Sequence, residues 1–338
     1  MILNLFTIIM LFMAVLTAAI SLPICCLSYM AYRKGRNPLS DHERTEIEDR
    51  SYLLMLVAVV VLFLKLLNWP FFYVTLQSYI PNIQGAMCIF GVTQAQPLMS
   101  GLAQIMKPVV FFSIGGWLFL NRLDRMTETS PLFARKFLLL GVVSIIILID
   151  SVLDIAFFTG FDIKTFVSCC TTYFDLPERP ASAIPVSLFG SGYERYLLPL
   201  YYASNAVFIL SQAIAYRMTR PLKRDKGITA PLTAGAVIAV LNAIIGVIVM
   251  FEVIAPKVMS IPLHHCIYCM WQYEPHSIIM TALFIIGTFS PGWALTLYLT
   301  GRHDETMLFL ERHLRLLSVT AIACTGASVA IATLYMIL

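Results

Sequence analysis

Long, uninterrupted apolar runs recur along the whole chain, separated by short polar connections. These runs lie near residues 5–32, 52–78, 102–121, 137–158, 196–216, 231–255, 277–299 and 315–338. A helix that crosses a bilayer needs about 20 mostly apolar residues. The pattern therefore predicts an all-α fold, a polytopic integral membrane bundle of about eight transmembrane helices that forms a single transmembrane domain over 1–338.

Two of the eight predicted spans have the weakest pattern, because Lys107 interrupts the third run and Pro199 interrupts the fifth. The first run has no basic start, is longer than a signal sequence, and lacks a following small-residue cleavage site. We therefore predict that it is the first span and is not a cleaved signal.

Composition agrees with a chain that lies mostly in lipid. The sequence is 59% hydrophobic and 12% charged, whereas a globular domain is about 45–50% apolar and about 25% charged. The longest connection on the outer side, 159–194, is too short for a nucleotide-binding domain, and no phosphate-binding glycine loop occurs. The chemistry must therefore come from the spans and the short loops.

Basic residues predict the orientation in the membrane. The connections at 33–51, 122–136, 217–230 and 300–315 hold 17 of the 23 lysines and arginines. Because positive loops stay on the cytoplasmic side, we predict that both termini face the outer side of a bacterial inner (plasma) membrane. The net charge of +4 follows from this topology, so we predict contact with the lipid bilayer and no nucleic-acid partner.

Haem is not predicted. None of the six histidines lies inside a predicted span, so paired axial histidines between helices are not available. Cys266 and Cys269 form a C-x-x-C pair, but Met270 follows it where covalent haem attachment requires histidine.

The loop cysteines lie on one predicted side only. Five are in the loops predicted to face outward and none is in an inner loop; they are Cys88, Cys169, Cys170, Cys266 and Cys269. The outer side is oxidising, where thiols pair, bind metal or carry out redox chemistry. Five is an odd number, so at least one of these thiols is outside any disulfide within the chain.

Two histidines stand directly before the C-x-x-C pair, at His264 and His265. Thiolate and imidazole ligands select Cu(I) or Zn. We therefore predict an outward-facing site that binds or transfers a soft metal ion, copper before zinc. Its candidate ligands are Cys88, Cys169, Cys170, His264, His265, Cys266 and Cys269. The prediction requires that three separate loops meet at one end of the bundle.

Two alternatives stay open from the sequence. In the first, Cys266 and Cys269 are the catalytic pair of a thiol–disulfide oxidoreductase that passes electrons to a bound quinone. In the second, the chain is a non-catalytic membrane subunit of a larger, possibly respiratory complex. Disulfides would then staple its outer loops, which dock a soluble partner protein or a further membrane subunit.

Charged residues also occur inside the predicted spans. Lys65 and Asp150 share a depth near the bilayer centre, and Asp154 lies one helical turn beyond Asp150. Because a charge there costs about 2.5–3.5 kcal/mol, we predict that Lys65 pairs with Asp150 or Asp154, with Asn68 as a further hydrogen-bonding partner. Such a pair either fixes helix register or belongs to a proton or cation path. Lys107 near an outer span end is predicted to snorkel towards water, and so is Glu252.

Three weaker patterns complete the sequence predictions. The cysteine-bearing loops and the helices after them suggest a four-plus-four organisation, with helix breaks at Gly115-Gly116 and Pro291-Gly292. In the last span, small residues form a stripe suited to close packing against another helix. The stripe consists of Ala323, Gly326, Ala327 and Ala330.

Overall fold

The computed structural model describes residues 2–35, 41–162, 166–168, 171–175, 179–219 and 227–337. These residues form α-helices joined by turns, short 3₁₀ segments and one π-helical segment, and they contain no strand. The helices are α1 (Leu5–Gly35), α2 (Asp41–Tyr79), α3 (Ile89–Gln94), α4 (Pro97–Asp124), α5 (Phe133–Thr159), α6 (Thr171–Phe174), α7 (Ala183–Phe189), α8 (Glu194–Met218), α9 (Thr229–Val249), α10 (Ala255–Met259), α11 (Ile267–Tyr273), α12 (Ser277–Thr300) and α13 (Met307–Ile337).

Eight of the helical segments in the described residues are long and apolar enough to cross a membrane. They comprise α1, α2, α4, α5, α8, the joined α9–α10 segment, α12 and α13. The predicted all-α membrane bundle is thereby confirmed, including the two spans with the weakest pattern. The predicted helix breaks are wrong, because α4 and α12 continue through Gly115-Gly116 and Pro291-Gly292.

The first compact unit, Met1–Val167, contains four of the spans, α1, α2, α4 and α5. Helix α5 packs against α1 and α4, and α1 also packs against α2. Each helix contributes apolar side chains to one buried cluster, for example Ile24, Leu62, Trp117 and Phe137. The buried polar residues of this unit lie on the sheltered faces of these helices, which are otherwise apolar.

The second compact unit, Ser168–Leu338, contains the other four spans. Helix α13 packs along α12 and α8, while α9 packs against α8 and α12. The closest approach uses Gly287, where an added Cβ would lie 2.4 Å from the Thr325 hydroxyl. This unit, like the first, thus contains four spans.

The small-residue stripe of the last span lies on another face of α13. A Cβ added at Gly326 meets no described atom within 4 Å, and Ala323 and Ala330 are exposed. Among the described residues, α13 therefore packs through a face that includes Thr325 and not through the stripe.

A π-helical segment, Met250–Ile254, separates α9 from α10 inside one continuous span. Ser260 follows α10 in the left-handed conformation, with φ of 55°, and ends the helix. The extra residue in a π-turn changes the direction of the side chains around it, and such turns are frequent at functional sites. Here the segment carries Glu252, which is buried.

Large apolar side chains cover the faces of the spans that point away from the helices packed against them. Phe12, Phe63, Ile145, Val240 and Leu316 are each more than 45% exposed, although all lie within spanning helices. A soluble protein rarely exposes so much continuous apolar surface. The eight spans are therefore the lipid-facing part of an integral membrane protein.

Candidate functional site

The C-x-x-C pair lies at the start of helix α11. Cys266 precedes the helix with an extended backbone, and its carbonyl accepts the hydrogen bond from the Met270 amide. Cys269 lies in the first turn, so one helical turn separates the two thiols. Cys266 is buried and Cys269 is half-buried. Local helical geometry thus places both sulfur atoms on one side of a short, rigid element.

Cys88 has a similar local setting. It precedes the short helix α3 with an extended backbone, and its carbonyl accepts the hydrogen bond from the Val92 amide. Helix α3 packs against α2 and α4. The Cys88 side chain is fully buried, which keeps its thiol away from water.

The two thiols of the C-x-x-C pair lie together in the second unit, with the sulfur atoms of Cys266 and Cys269 within 4.8 Å of each other. Two sulfurs bonded to one ion at about 2.3 Å are about 3.8–4.0 Å apart in tetrahedral or trigonal geometry. Movements of less than about 1 Å would therefore bring both thiols onto a common ion. The C-x-x-C pair is thus a pair of groups that could hold a metal ion.

Cys88, a further predicted ligand, belongs to the first unit. Cys169 and Cys170 lie outside the described residues. No disulfide joins any of the six cysteines that the structure describes. The expected disulfide staples are therefore not found in that part of the chain.

The two predicted histidine ligands engage other groups through Nδ1. His264 Nδ1 lies 2.6 Å from Asp175 Oδ1, and His265 Nδ1 lies 3.2 Å from the carbonyl oxygen of Phe251. Because these oxygens can only accept, Nδ1 carries the proton in both rings and Nε2 keeps its lone pair when the ring is neutral. Among the described residues, neither ring is grouped with the thiols of Cys266 and Cys269 as a possible metal ligand.

His265 belongs to a buried group of polar side chains. Glu252 accepts hydrogen bonds from Arg179 and, at 2.8 Å, from the Tyr193 hydroxyl. His265 Nδ1 is 3.8 Å from the same carboxylate. The group consists of four buried side chains, those of Arg179, Tyr193, Glu252 and His265. This group ties the π-helical segment to the loop that carries the C-x-x-C pair.

The electrostatics of this group have clear physical causes. Burial lowers the pKa of His265, and the nearby Arg179 guanidinium lowers it further, which favours the neutral ring. Burial raises the pKa of Tyr193, and its hydrogen bond to the Glu252 carboxylate raises it further. The sequence prediction that Glu252 snorkels to water is wrong, because its carboxylate is held inside by Arg179 and Tyr193.

A second polar group lies inside the first unit. Lys65 Nζ is 2.6 Å from Asp150 and 3.4 Å from Asp154, while Lys107 Nζ is 2.9 Å and 2.5 Å from the same two carboxylates. Asn68 donates to Asp154 at 3.1 Å. The structure thus brings together the predicted charges Lys65, Asp150 and Asp154.

Lys107 does not snorkel as the sequence predicted. Helix α4 begins at Pro97, five residues before the predicted span. Lys107 is therefore ten residues into the helix, or about 15 Å from its start at about 1.5 Å per residue. At that depth the ammonium pairs with Asp150 and Asp154 and does not reach towards the membrane surface. Counting residues from the helix start at Pro97 would have revealed that Lys107 lies deep inside the span.

No protein-family model, curated protein or solved structure matches this chain. The structure itself therefore defines the class: a helical membrane protein whose described residues form eight spans and carry a C-x-x-C pair that could hold a metal ion.

Proposed function

We propose that this protein binds a soft metal ion through Cys266 and Cys269, with Cys88 as the third ligand that the sequence predicts, and passes the ion on at the membrane, with copper as the favoured metal. The observation that carries the proposal is the C-x-x-C pair, whose two sulfur atoms lie within 4.8 Å of each other. Thiolates are the ligands that select Cu(I) and Zn over harder ions.

The number of ligands favours copper. Structural zinc sites in proteins have four protein ligands, whereas the proposed set consists of three thiols. A three-thiol site suits the low coordination numbers of Cu(I), and it leaves an open position through which an ion can enter or leave. Zn would need a fourth ligand, for which a water molecule or a histidine Nε2 is chemically suitable.

The burial of the proposed ligands suits a transferable ion. Cys88 and Cys266 are fully buried and Cys269 is half-buried, so Cys269 is the thiol through which a soluble partner exchanges metal. The distribution of basic residues supports a place in a bacterial inner membrane with these loops facing outward. The partner is then a soluble metal carrier on that side or a further membrane subunit.

Metal loading of the purified full-length protein tests the proposal. We expect the reduced protein to bind about one Cu(I) per chain in competition with a chelator, and the Cys266→Ser/Cys269→Ser variant to bind on the order of 100-fold more weakly or not at all. Changing residues that merely support metal ligands already costs about 10–100-fold in affinity. Cys88→Ser should weaken binding as well.

Cys324→Ser is the matched control, because Cys324 lies in α13 and is not one of the proposed ligands. It should bind copper as the wild type does. Equal copper affinity in the wild type and in the Cys266→Ser/Cys269→Ser variant would contradict the proposal.

The proximity of the two thiols of the C-x-x-C pair supports a second candidate, thiol–disulfide exchange. Oxidation of Cys266 and Cys269 to a disulfide releases two electrons and two protons, which a quinone takes up to become a quinol. A Cys269→Ser variant separates the candidates: it should trap a mixed disulfide with a partner only if exchange is the function.

A further inference from the structure

Four charged side chains lie together in the interior of the first unit, at mid-length of its spans. Lys65 comes from α2, Lys107 from α4, and Asp150 and Asp154 from α5. Their side chains are between 0% and 2% exposed. We call them the charge cluster. Helix α1 also packs against α5, but it carries no charged residue before Arg33.

The charge cluster is neutral as a whole, since two ammonium groups balance two carboxylates. Each lysine contacts both aspartates. Holding helices in register does not require four charges, because apolar residues of similar volume often stabilise a buried site as well. Ionisable residues inside a membrane span instead mark ion or proton pathways as a rule.

The two aspartates differ in how well their oxygens are satisfied. Asp154 accepts hydrogen bonds from Lys107, Lys65 and Asn68. Asp150 accepts one from Lys107 through Oδ1, but its Oδ2 has no aligned donor. Lys65 Nζ is only 2.6 Å from that oxygen, yet it donates its hydrogen bonds to Ser151 and Asp154. Asp150 Oδ2 thus retains a lone pair for another donor.

A small cavity adjoins Asp150. It is lined by Lys65, Lys107 and Asp150 together with Trp69 and Phe111. It offers about 10 Å³ for the centre of a water molecule, which is about the space that one water requires. Among the cluster's residues, Asp154 does not line the cavity. Of the two aspartates, Asp150 therefore combines a carboxylate oxygen that has no hydrogen-bond partner with a neighbouring place for water.

On its opposite side, the charge cluster has a chain of hydroxyl groups that gives a proton no way out. Lys65 donates to Ser151, whose hydroxyl is 2.9 Å from that of Thr17. Thr17 in turn donates to backbone carbonyl oxygens of its own helix. A carbonyl oxygen cannot pass a proton on, so this hydroxyl chain ends inside α1.

We propose that Asp150 is a proton-binding residue in the membrane interior and that it exchanges its proton with water in this cavity. A hydronium ion in the cavity gives up one O–H bond, a new O–H bond forms at Asp150 Oδ2, and a water molecule remains. Asp154 keeps both ammonium groups as partners while Asp150 is neutral. The reverse transfer returns the proton to water.

Infrared difference spectroscopy of the metal-free, full-length protein in lipid nanodiscs tests this. On acidification we expect a protonated-carboxyl stretching band to appear, and we expect Asp150→Asn to abolish it. Asp150→Glu keeps a carboxyl at the site, so it should restore a titrating band at a displaced frequency. Asp154→Glu should leave the band frequency unchanged.

Asp124→Asn is the matched control, because Asp124 is a buried carboxylate of the same unit that pairs with Lys136 instead. It should retain the band. The proposal is overturned if no protonated-carboxyl band appears over the pH range in which the protein stays folded. It is also overturned if the band survives Asp150→Asn. Since Asp150→Glu keeps the carboxyl and no metal is present, the result depends neither on tolerance of Asn nor on the copper proposal.

Discussion

Buried ionic groups are held at fixed positions by a small number of hydrogen bonds, and the Glu252 carboxylate is the clearest case outside the charge cluster. Arg179 supplies the opposite charge, and Tyr193 supplies a neutral donor. A hydrogen bond to a buried charged group contributes about 1.5–3 kcal/mol. The Glu252 group therefore fixes the π-helical segment relative to the loop before Cys266.

Tyr193→Phe tests this contribution. At pH 8 we expect the variant to be less stable than the wild type by about 1.5–3 kcal/mol in chemical unfolding, because Glu252 loses a donor. The raised pKa of Tyr193 means that the folded chain holds the phenolic proton more tightly than the unfolded chain does. The wild-type advantage is thus fully present below about pH 10 and is lost as pH rises further.

The control for this experiment is Tyr196→Phe, since Tyr196 lies three residues after Tyr193, in the first turn of α8, but is exposed. Its stability should match the wild type at pH 8. A Tyr193→Phe variant that is as stable as the wild type at pH 8 would contradict the role of the phenol.

At the scale of single residues, the sequence correctly predicts those contacts that depend only on depth in the membrane. Lys65 and Asp150 lie at equal depth in neighbouring spans, which the apolar runs already define. The participation of Lys107 could not be seen, because the apolar run understates the length of α4 by five residues at its start. The ring directions of His264 and His265 depend on Asp175 and on a backbone carbonyl, and adjacency to Cys266 carries no information about them.

At the scale of the helices, close packing in the second unit rests on particular small residues. Gly287 in α12 approaches Thr325 in α13, and Gly246 in α9 approaches the ring of Phe284. The small-residue stripe at Gly326 does not take part in this packing, because such a stripe shows that close packing is possible but not which helix, internal or of a partner chain, uses it. The pattern of apolar residues likewise does not reveal the π-helical turn.

Gly287→Ala tests the packing of α12 on α13. The new methyl group would lie 2.4 Å from the Thr325 hydroxyl, so the two helices must separate or Thr325 must change rotamer. Overpacking of this kind costs about 1–3 kcal/mol, and we expect that loss in the free energy of unfolding in mixed micelles.

Gly326→Ala provides the comparison in the same helix pair, because nothing lies within 4 Å of its added Cβ. It should leave stability unchanged or raise it slightly, since Ala favours helix. Equal losses in the two variants would show that the approach at Gly287 is not what limits the packing.

At the scale of the whole molecule, two features define this protein: eight spans with no large domain in the described part of the chain, and a C-x-x-C pair whose thiols lie together. The number of spans follows from the apolar runs, because bilayer thickness fixes helix length. The spacing of Cys266 and Cys269 likewise predicts that their thiols lie close together. The confinement of loop cysteines to the predicted outer side indicates a site shared with Cys88, and this stays a prediction from the sequence.

X-ray absorption spectroscopy of the copper-loaded protein tests the central claim most directly, because it counts the atoms bound to the metal. We predict a first shell of about three sulfur atoms at about 2.3 Å, a distance typical of metal–thiolate bonds, and a reduced sulfur count in Cys88→Ser. A first shell of nitrogen and oxygen atoms, or a spectrum that Cys88→Ser leaves unchanged, would contradict the three-thiol metal site.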